Sequence, residues 1–110
     1  MRPLEAVVIP VTMTSGALSS TVAQAPILYE RAYLQVPTMA SGSLYIMAAV
    51  ASGSTFFRVT DREPNQATDF VINSSVTNRI VPIPEGFEYY KVESSSGATD
   101  VVSTLKFIFK

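Results

Sequence analysis

The chain alternates between short apolar runs and short polar segments, and the clearest apolar runs have the two-residue period of a β-strand. In residues 27–36 this period separates Leu28, Ala32, Leu34 and Val36 from Tyr29, Arg31, Tyr33 and Gln35, with Glu30 as the exception on the first side. Successive side chains of a strand point to opposite faces of its sheet. The pattern therefore predicts a half-buried strand that ends before Pro37.

Further strand-like runs are separated by turn residues. They occupy residues 4–14, 44–51, 55–60, 69–72, 79–84, 88–93 and 103–110. The run 44–51 is apolar on both faces, as a central strand would be, and the turn 51–54 with Gly53 predicts a hairpin to 55–60. Short strands at a spacing of about ten residues, without an amphipathic helix, predict an all-β fold of about eight strands. The expected architecture is an antiparallel two-sheet sandwich, jelly-roll-like in topology.

The length of 110 residues predicts a single domain. Pro10 interrupts the first run, which predicts an edge strand or an arm that bends at the proline. Residues 1–26 are expected to form an N-terminal strand or arm and a loop within the same unit, and residues 27–110 the β-sandwich domain. Glu5 and Pro10 also break the apolar start of the chain, so no signal peptide is predicted.

The composition removes several classes of function. Charged residues make up 15% of the chain, below the roughly 25% usual for globular domains, which favours a surface rich in Ser and Thr or covered by a partner. The net charge is −1 and the cations are scattered, so neither nucleic acid nor a membrane is an expected partner. The absence of Cys and His excludes Ser-His-Asp and Cys-His catalysis. We expect no enzyme activity and no cofactor.

Two groups of carboxylates deserve comparison with known chemistry. Oxygen-bearing side chains recur in the loop 61–69, as at the start of a calcium loop: Asp61, Glu63, Asn65 and Asp69. Gln66 replaces the turn glycine and Ile72 the bidentate acid, so a solvated loop is favoured. Glu85 and Glu88 flank a turn glycine and are more typical of a surface turn than of a glycosidase pair. No metal-binding or catalytic residue is predicted.

Two groups of residues are candidates for contact with a partner protein. Tyr29, Arg31 and Tyr33 share one side of their run, and Tyr89 adds a further tyrosine. Tyr and Arg are enriched at interfaces. The alternative, that these tyrosines cover the rim of the core, stays open. The second group could contact a neighbour by edge pairing and consists of Leu4, Val7, Ile9 and Val11.

Three stretches carry a resemblance to known proteins. They are L-x-I-x-A-A-x-x-S-G-x-T-F-F-x-V-x-D at 44–61, R-I-V-P-I-P-E-G-F-E-Y-Y-K-V-E-S-S-S-G at 79–97, and L-K-F-I-F-K at 105–110. In this order the chain resembles small β-sandwich proteins of tailed bacteriophage particles, which are similar to galactose-binding-like or jelly-roll domains. The resemblance covers about the last two thirds of the chain.

The resemblance implies a virion structural protein that decorates or cements a capsid. Its partners would be the major capsid protein and other copies of itself, as a dimer or trimer. It would be made in the host cytoplasm and reside on the capsid surface. Two alternatives remain open at this point: a carbohydrate- or receptor-binding module of a tail or fibre, and an oligomeric spacer without a ligand.

Overall fold

A computed structural model describes residues 6–13, 19–37, 43–60, 69–73, 78–94 and 104–110. Within these ranges the chain forms nine β-strands and no helix. The strands are β1 (Val7–Thr12), β2 (Ala23–Gln24), β3 (Ala32–Val36), β4 (Ser43–Ala49), β5 (Phe57–Arg58), β6 (Val71–Asn73), β7 (Arg79–Ile83), β8 (Tyr89–Ser94) and β9 (Thr104–Phe109). The predicted all-β class is confirmed.

The strands form two antiparallel sheets with the order of a jelly roll. The first sheet has the order β1-β9-β3-β7, and the second has the order β2-β8-β4-β5. Strand β6 also pairs with β4, opposite Ser43–Tyr45, while β5 pairs opposite Met47 and Ala48. Because β5 and β6 follow each other along one side of β4, they act as two pieces of a single edge strand. The two sheets then have four positions each, which is the eight-strand jelly-roll arrangement.

The core lies between the sheets and is built from alternate residues of the inner strands. Leu34 of β3 and Leu105, Phe107 and Phe109 of β9 face Leu44, Ile46, Tyr90 and Val92 of the second sheet, and each is at most 1% exposed. Burial of each such apolar side chain contributes about 1.5–3 kcal/mol. The alternation predicted for residues 27–36 is confirmed from Ala32 onwards. It fails before Ala32, since the strand begins there and Leu28 is 89% exposed.

The free edge of β1 carries a proline at a position that would otherwise present an N–H. The Thr12 N–H donates to Oγ1 of Thr21, and the Thr12 C=O accepts from the Thr21 N–H, each at 3.1 Å. The peptide groups of Thr12 therefore point away from β9. Because this direction alternates along a strand, the peptide groups of Pro10 and Val8 point the same way. Pro10 has no N–H, which leaves Val8 as the open donor of this edge within β1.

The opposite edge of the first sheet, formed by β7, has the same feature. Arg31 and Lys110 exchange two backbone hydrogen bonds of 3.0 Å, so alternation turns the peptide groups of Tyr33 toward β9 and away from β7. Pro82 is the partner of Tyr33 in β7. Its nitrogen therefore faces the free edge. Edges with few donors resist the addition of a further strand.

We expect both prolines to limit self-association of the folded chain. The variant Pro10→Val/Pro82→Val restores an outward N–H on each edge and should form higher oligomers or thioflavin-positive aggregates. Sedimentation velocity of the two proteins at equal concentration would measure this. Gln35→Val is the control, because it adds an exposed β-branched side chain on the inner strand β3 without a new edge donor. Equal sedimentation of variant and control would show that the prolines do not protect the edges.

Candidate functional site

One end of the sandwich collects exposed apolar side chains. The register places the start of β3, the end of β9 and the end of β7 together, and likewise the end of β4 and the start of β8. The loops 25–31, 50–56 and 84–88 connect strands at this end. Among the described residues, the four most exposed large apolar side chains all lie there: Ile27 (99%), Leu28 (89%), Val50 (70%) and Phe57 (70%). We call this group the apolar end.

Ile27 and Leu28, here called the aliphatic pair, are exposed although the backbone around them is held in place. On one side the Ala25 N–H donates to the Glu88 C=O at 2.7 Å. On the other side the Glu30 N–H donates to the Lys110 C=O at 2.9 Å. The loop is thus bonded to both sheets within a few residues of the pair. Its exposure therefore follows from the fold, and contiguous exposed apolar groups of this kind mark contact surfaces.

Tyr29 holds the loop 84–88 against the loop 25–31, which carries the aliphatic pair. Its hydroxyl oxygen accepts hydrogen bonds from the backbone N–H groups of Gly86 and Phe87, each at 3.0 Å. Gly86 has φ = +108°, a conformation that glycine adopts without a steric penalty. The Tyr29 ring packs edge-on against Phe109, with a centroid distance of 5.1 Å. Tyr29 therefore joins a surface turn to the core.

Tyr90 extends this network into the interior. Its hydroxyl lies 2.8 Å from that of Tyr29 and 2.9 Å from the Pro84 carbonyl oxygen, while the Tyr29 hydroxyl lies 2.6 Å from the Phe87 carbonyl oxygen. Two hydroxyl protons serve these three contacts, so one contact is without a proton at any moment. Burial raises the pKa of the Tyr90 hydroxyl above its ordinary value, and the hydrogen bond with Tyr29 raises it further. Tyr90 stays a neutral structural hydroxyl.

A cleft of about 830 Å³ opens beside the loop 84–88. Phe57 stands at its border, and its lining includes Val50, Phe87, Arg58 and Glu85. This volume and a largely apolar wall with few polar groups are typical of ligand sites. Within the described residues, no three acidic side chains come together in a way that could hold a metal ion.

The outer face of the second sheet carries a network of charges centred on Arg58. Arg58 pairs with Asp69 at 3.2 Å and with Glu93 at 2.6 Å, and its guanidinium lies 3.9 Å from the centre of the Tyr45 ring. The hydrogen bond to Glu93 raises the pKa of Arg58 most, and the hydrogen bond to Asp69 raises it further. Asp69 is thus the described member of the calcium-like loop, and it bonds a cation of the protein. Its companions Asp61, Glu63 and Asn65 lie outside the described residues.

The structure does not bring the predicted tyrosines together. Tyr29 belongs to the hydroxyl network, Tyr33 lies half-buried on the outer face of the first sheet, and Tyr89 lies half-buried on the outer face of the second. The two outer faces are on opposite sides of the sandwich. Arg31 lies on the same face as Tyr33, directly opposite Lys110.

The N-terminal group of predicted contact residues points mostly inward. Val11 is 1% exposed, Ile9 packs against the core, and Val7 is 42% exposed at the start of β1. Leu4 lies outside the described residues. The outward neighbour on this strand is Val8, which is 50% exposed.

Sequence reasoning missed the aliphatic pair and Phe57. The run 27–36 placed Ile27 and Leu28 at the start of a strand, and the run 55–60 placed Phe57 in the second strand of a hairpin. The sequence does indicate that the pair lies outside the strand, because Pro26 precedes it and Glu30 breaks the apolar alternation. Phe57 shares one side of its run with Val59, which is 8% exposed, yet Phe57 itself is 70% exposed.

No protein-family model matches this chain, and neither a curated protein nor a solved structure does. In the part of the chain that the structure describes, no helix has the length and apolarity needed to cross a membrane. Because a fold hosts many functions, the arguments on function rest on the exposed residues and their geometry.

The hydroxyl network predicts unequal effects of two tyrosine substitutions. Tyr29→Phe leaves the N–H groups of Gly86 and Phe87 without their acceptor, and should lower the free energy of unfolding by about 1–3 kcal/mol. Tyr33→Phe removes a hydroxyl on an outer face and should change it by less than about 0.5 kcal/mol. Urea unfolding followed by circular dichroism measures both. Equal stability of the two variants would contradict the role given to Tyr29.

The raised pKa of Tyr90 predicts a loss of stability in alkali. Below pH about 10 the hydroxyl is protonated in both the folded and the unfolded chain. Above it the unfolded chain releases the proton while the folded chain keeps it, so the free energy of unfolding falls by about 1.4 kcal/mol per pH unit for this group. Tyr90→Phe should lose this part of the slope between pH 10 and 11.5, and Tyr33→Phe should keep it. An unchanged slope in Tyr90→Phe would exclude Tyr90 as its source.

Proposed function

We propose that this protein is a non-enzymatic structural component of a bacteriophage particle, which decorates or cements the capsid through protein–protein contacts. The observation that carries the proposal is the aliphatic pair. Ile27 and Leu28 are almost fully exposed on a loop whose backbone is bonded to both sheets. An isolated chain gains nothing from this exposure, whereas a partner that buries the two side chains gains about 1.5–3 kcal/mol from each.

Repetition of the contact supports an assembly role. A contact of two aliphatic side chains is weak when made once. On a symmetric shell the same contact recurs many times, and linked binding events become effectively intramolecular. The jelly-roll order of the sheets agrees with this role, since viral capsid domains use that fold, although lectin domains use it as well.

A second candidate function is carbohydrate or receptor binding by a module of a tail or fibre. The cleft beside the loop 84–88 favours it. Phe57 is 70% exposed at the border of this cleft and offers an aromatic face for a sugar ring, while Arg58 and Glu85 in the lining offer polar groups. This candidate uses the cleft, whereas the assembly function uses the aliphatic pair, so substitutions separate the two.

The first test is co-sedimentation with phage heads assembled without this protein. The unaltered chain should pellet at a fixed ratio to the shell protein, and Ile27→Ser/Leu28→Ser should stay in solution. Val22→Ser/Val71→Ser is the matched control, since both valines are exposed (50% and 38%) outside the apolar end. Point substitutions are required because residues 7–24 include β1 and β2 of the sandwich. Failure of the unaltered chain to pellet would refute the capsid proposal.

The glycan candidate is tested on a second pair of variants. Saturable binding to a host glycan, measured by isothermal titration calorimetry, should fall at least about tenfold in Phe57→Ala if the aromatic face stacks on a sugar. Phe56→Ala is the control, because this neighbouring ring lies beneath Lys91 at 4.8 Å instead of lining the cleft. Binding that both variants retain would rule out the cleft as the glycan site.

A further inference from the structure

The outer face of the first sheet carries a row of apolar side chains that runs across all four strands. The row takes one residue from each strand, and neighbours in it are direct register partners: Val8, Ile108, Tyr33 and Pro82. We call it the apolar strip. Val8 and Pro82 are exposed, while Ile108 and Tyr33 are half-buried. With strands about 4.8 Å apart, the strip extends over about 14 Å.

Cations flank the apolar strip on both sides. Arg31 and Lys110 lie opposite each other one row toward the apolar end, and Lys106 lies one row away on the other side, between Pro10 and Gln35. All three cationic residues are exposed. Residues two apart in a strand are separated by about 7 Å, so each row of charge is within reach of a partner that covers the strip.

These charges differ from Arg58 on the second sheet in having no counter-ion among the described residues. The ion pairs among the described residues join Arg58 to Asp69 and Glu93, and none involves Arg31, Lys106 or Lys110. In the described strands the outer face of the first sheet has no acidic residue. Glu85 lies at its border, in a depression that Arg31 and Tyr33 also line. The face is therefore apolar along its middle and positive on both sides.

We propose that this face docks on an acidic protein surface, one that presents an apolar ridge between carboxylates. The inference rests on the proposed function and names the chemistry of the partner. Charge complementarity carries it, because carboxylates on both sides of a ridge would neutralise the two cationic rows while the ridge covers the strip. The prolines on both edges of the sheet disfavour strand addition, so a partner of this sheet is expected at its face.

The geometry favours a protein over the other anionic partners. Phosphate chains neutralise cations but do not use an apolar strip between them. Insertion into a bilayer requires side chains that protrude into the acyl region. Two of the four side chains in the strip are half-buried in the sheet, so the face is too flat for that. A flat apolar strip with flanking charges fits the apolar centre and polar rim of a protein interface.

The test uses the same heads with a reversal of charge on the face. Arg31→Glu/Lys106→Glu should bind at least about tenfold more weakly at low salt, since the reversed charges repel the partner's carboxylates. Arg31→Lys/Lys106→Arg keeps the charges and should bind as the unaltered chain does. Lys91→Glu reverses a charge on the outer face of the second sheet instead, and should also leave binding to the heads intact. Binding of the unaltered chain should weaken as the salt concentration rises.

Zero-length carbodiimide coupling identifies the partner, because it joins a lysine amine to a carboxylate in direct contact. We expect Lys106 or Lys110 to be coupled to an Asp or Glu of the shell protein. Coupling of these lysines to a second copy of this chain, or binding of the chain to phosphatidylserine vesicles, would overturn the inference.

The two proposals fail in different ways. If the unaltered chain pellets with heads and the charge-reversed variant pellets equally well, the acidic partner is refuted and the capsid function stands. If the unaltered chain does not pellet, both are refuted.

Discussion

The position of the apolar end depends on the paired hydroxyl groups of Tyr29 and Tyr90, which lie 2.8 Å apart. The Tyr90 ring lies in the core, 5.6 Å from Phe107 and from Phe109, so its hydroxyl is fixed by packing. The Tyr29 hydroxyl lies beside it and accepts hydrogen bonds from N–H groups of the loop 84–88. The loop that contains Tyr29 also carries the aliphatic pair. A packed core thereby determines where two exposed side chains, Ile27 and Leu28, are presented.

The apolar–polar pattern along the sequence predicted those parts of the fold that depend on neighbouring residues. The alternation within β3 and the hairpin at Gly53 follow from side-chain period and turn chemistry, and both are present. Strands β5 and β6 act as one edge strand because both pair with β4. This long-range pairing cannot be read from the periodicity of the sequence. The strand order is likewise a matter of long-range pairing. Sequence therefore predicted the all-β class, the antiparallel two-sheet sandwich and the approximate strand count, and the pairing supplied the strand order.

The candidate site was harder to predict, because exposure depends on position relative to the ends of the sheets. Ile27 and Leu28 are aliphatic residues in front of a strand, and their composition alone suits a core. They are exposed because Glu30 and Arg31 bond to the Lys110 carbonyl, which ends the loop before the strand begins. The opposite holds for the tyrosines. As a residue type, tyrosine is common at interfaces, but Tyr29 holds a turn within the chain.

The two outer faces of the sandwich suggest a division of roles. On the second sheet Arg58 finds two carboxylates and an aromatic ring within the chain, so its charge is already neutralised. On the first sheet the cations flank apolar residues, and prolines occupy both edges where donors would recruit another strand. Because both edges lack donors at these prolines, association of this sheet with a partner is favoured at its face over its edges. For the proposed function, edges of this kind would limit uncontrolled strand pairing, while the face would stay open to a shell of defined geometry.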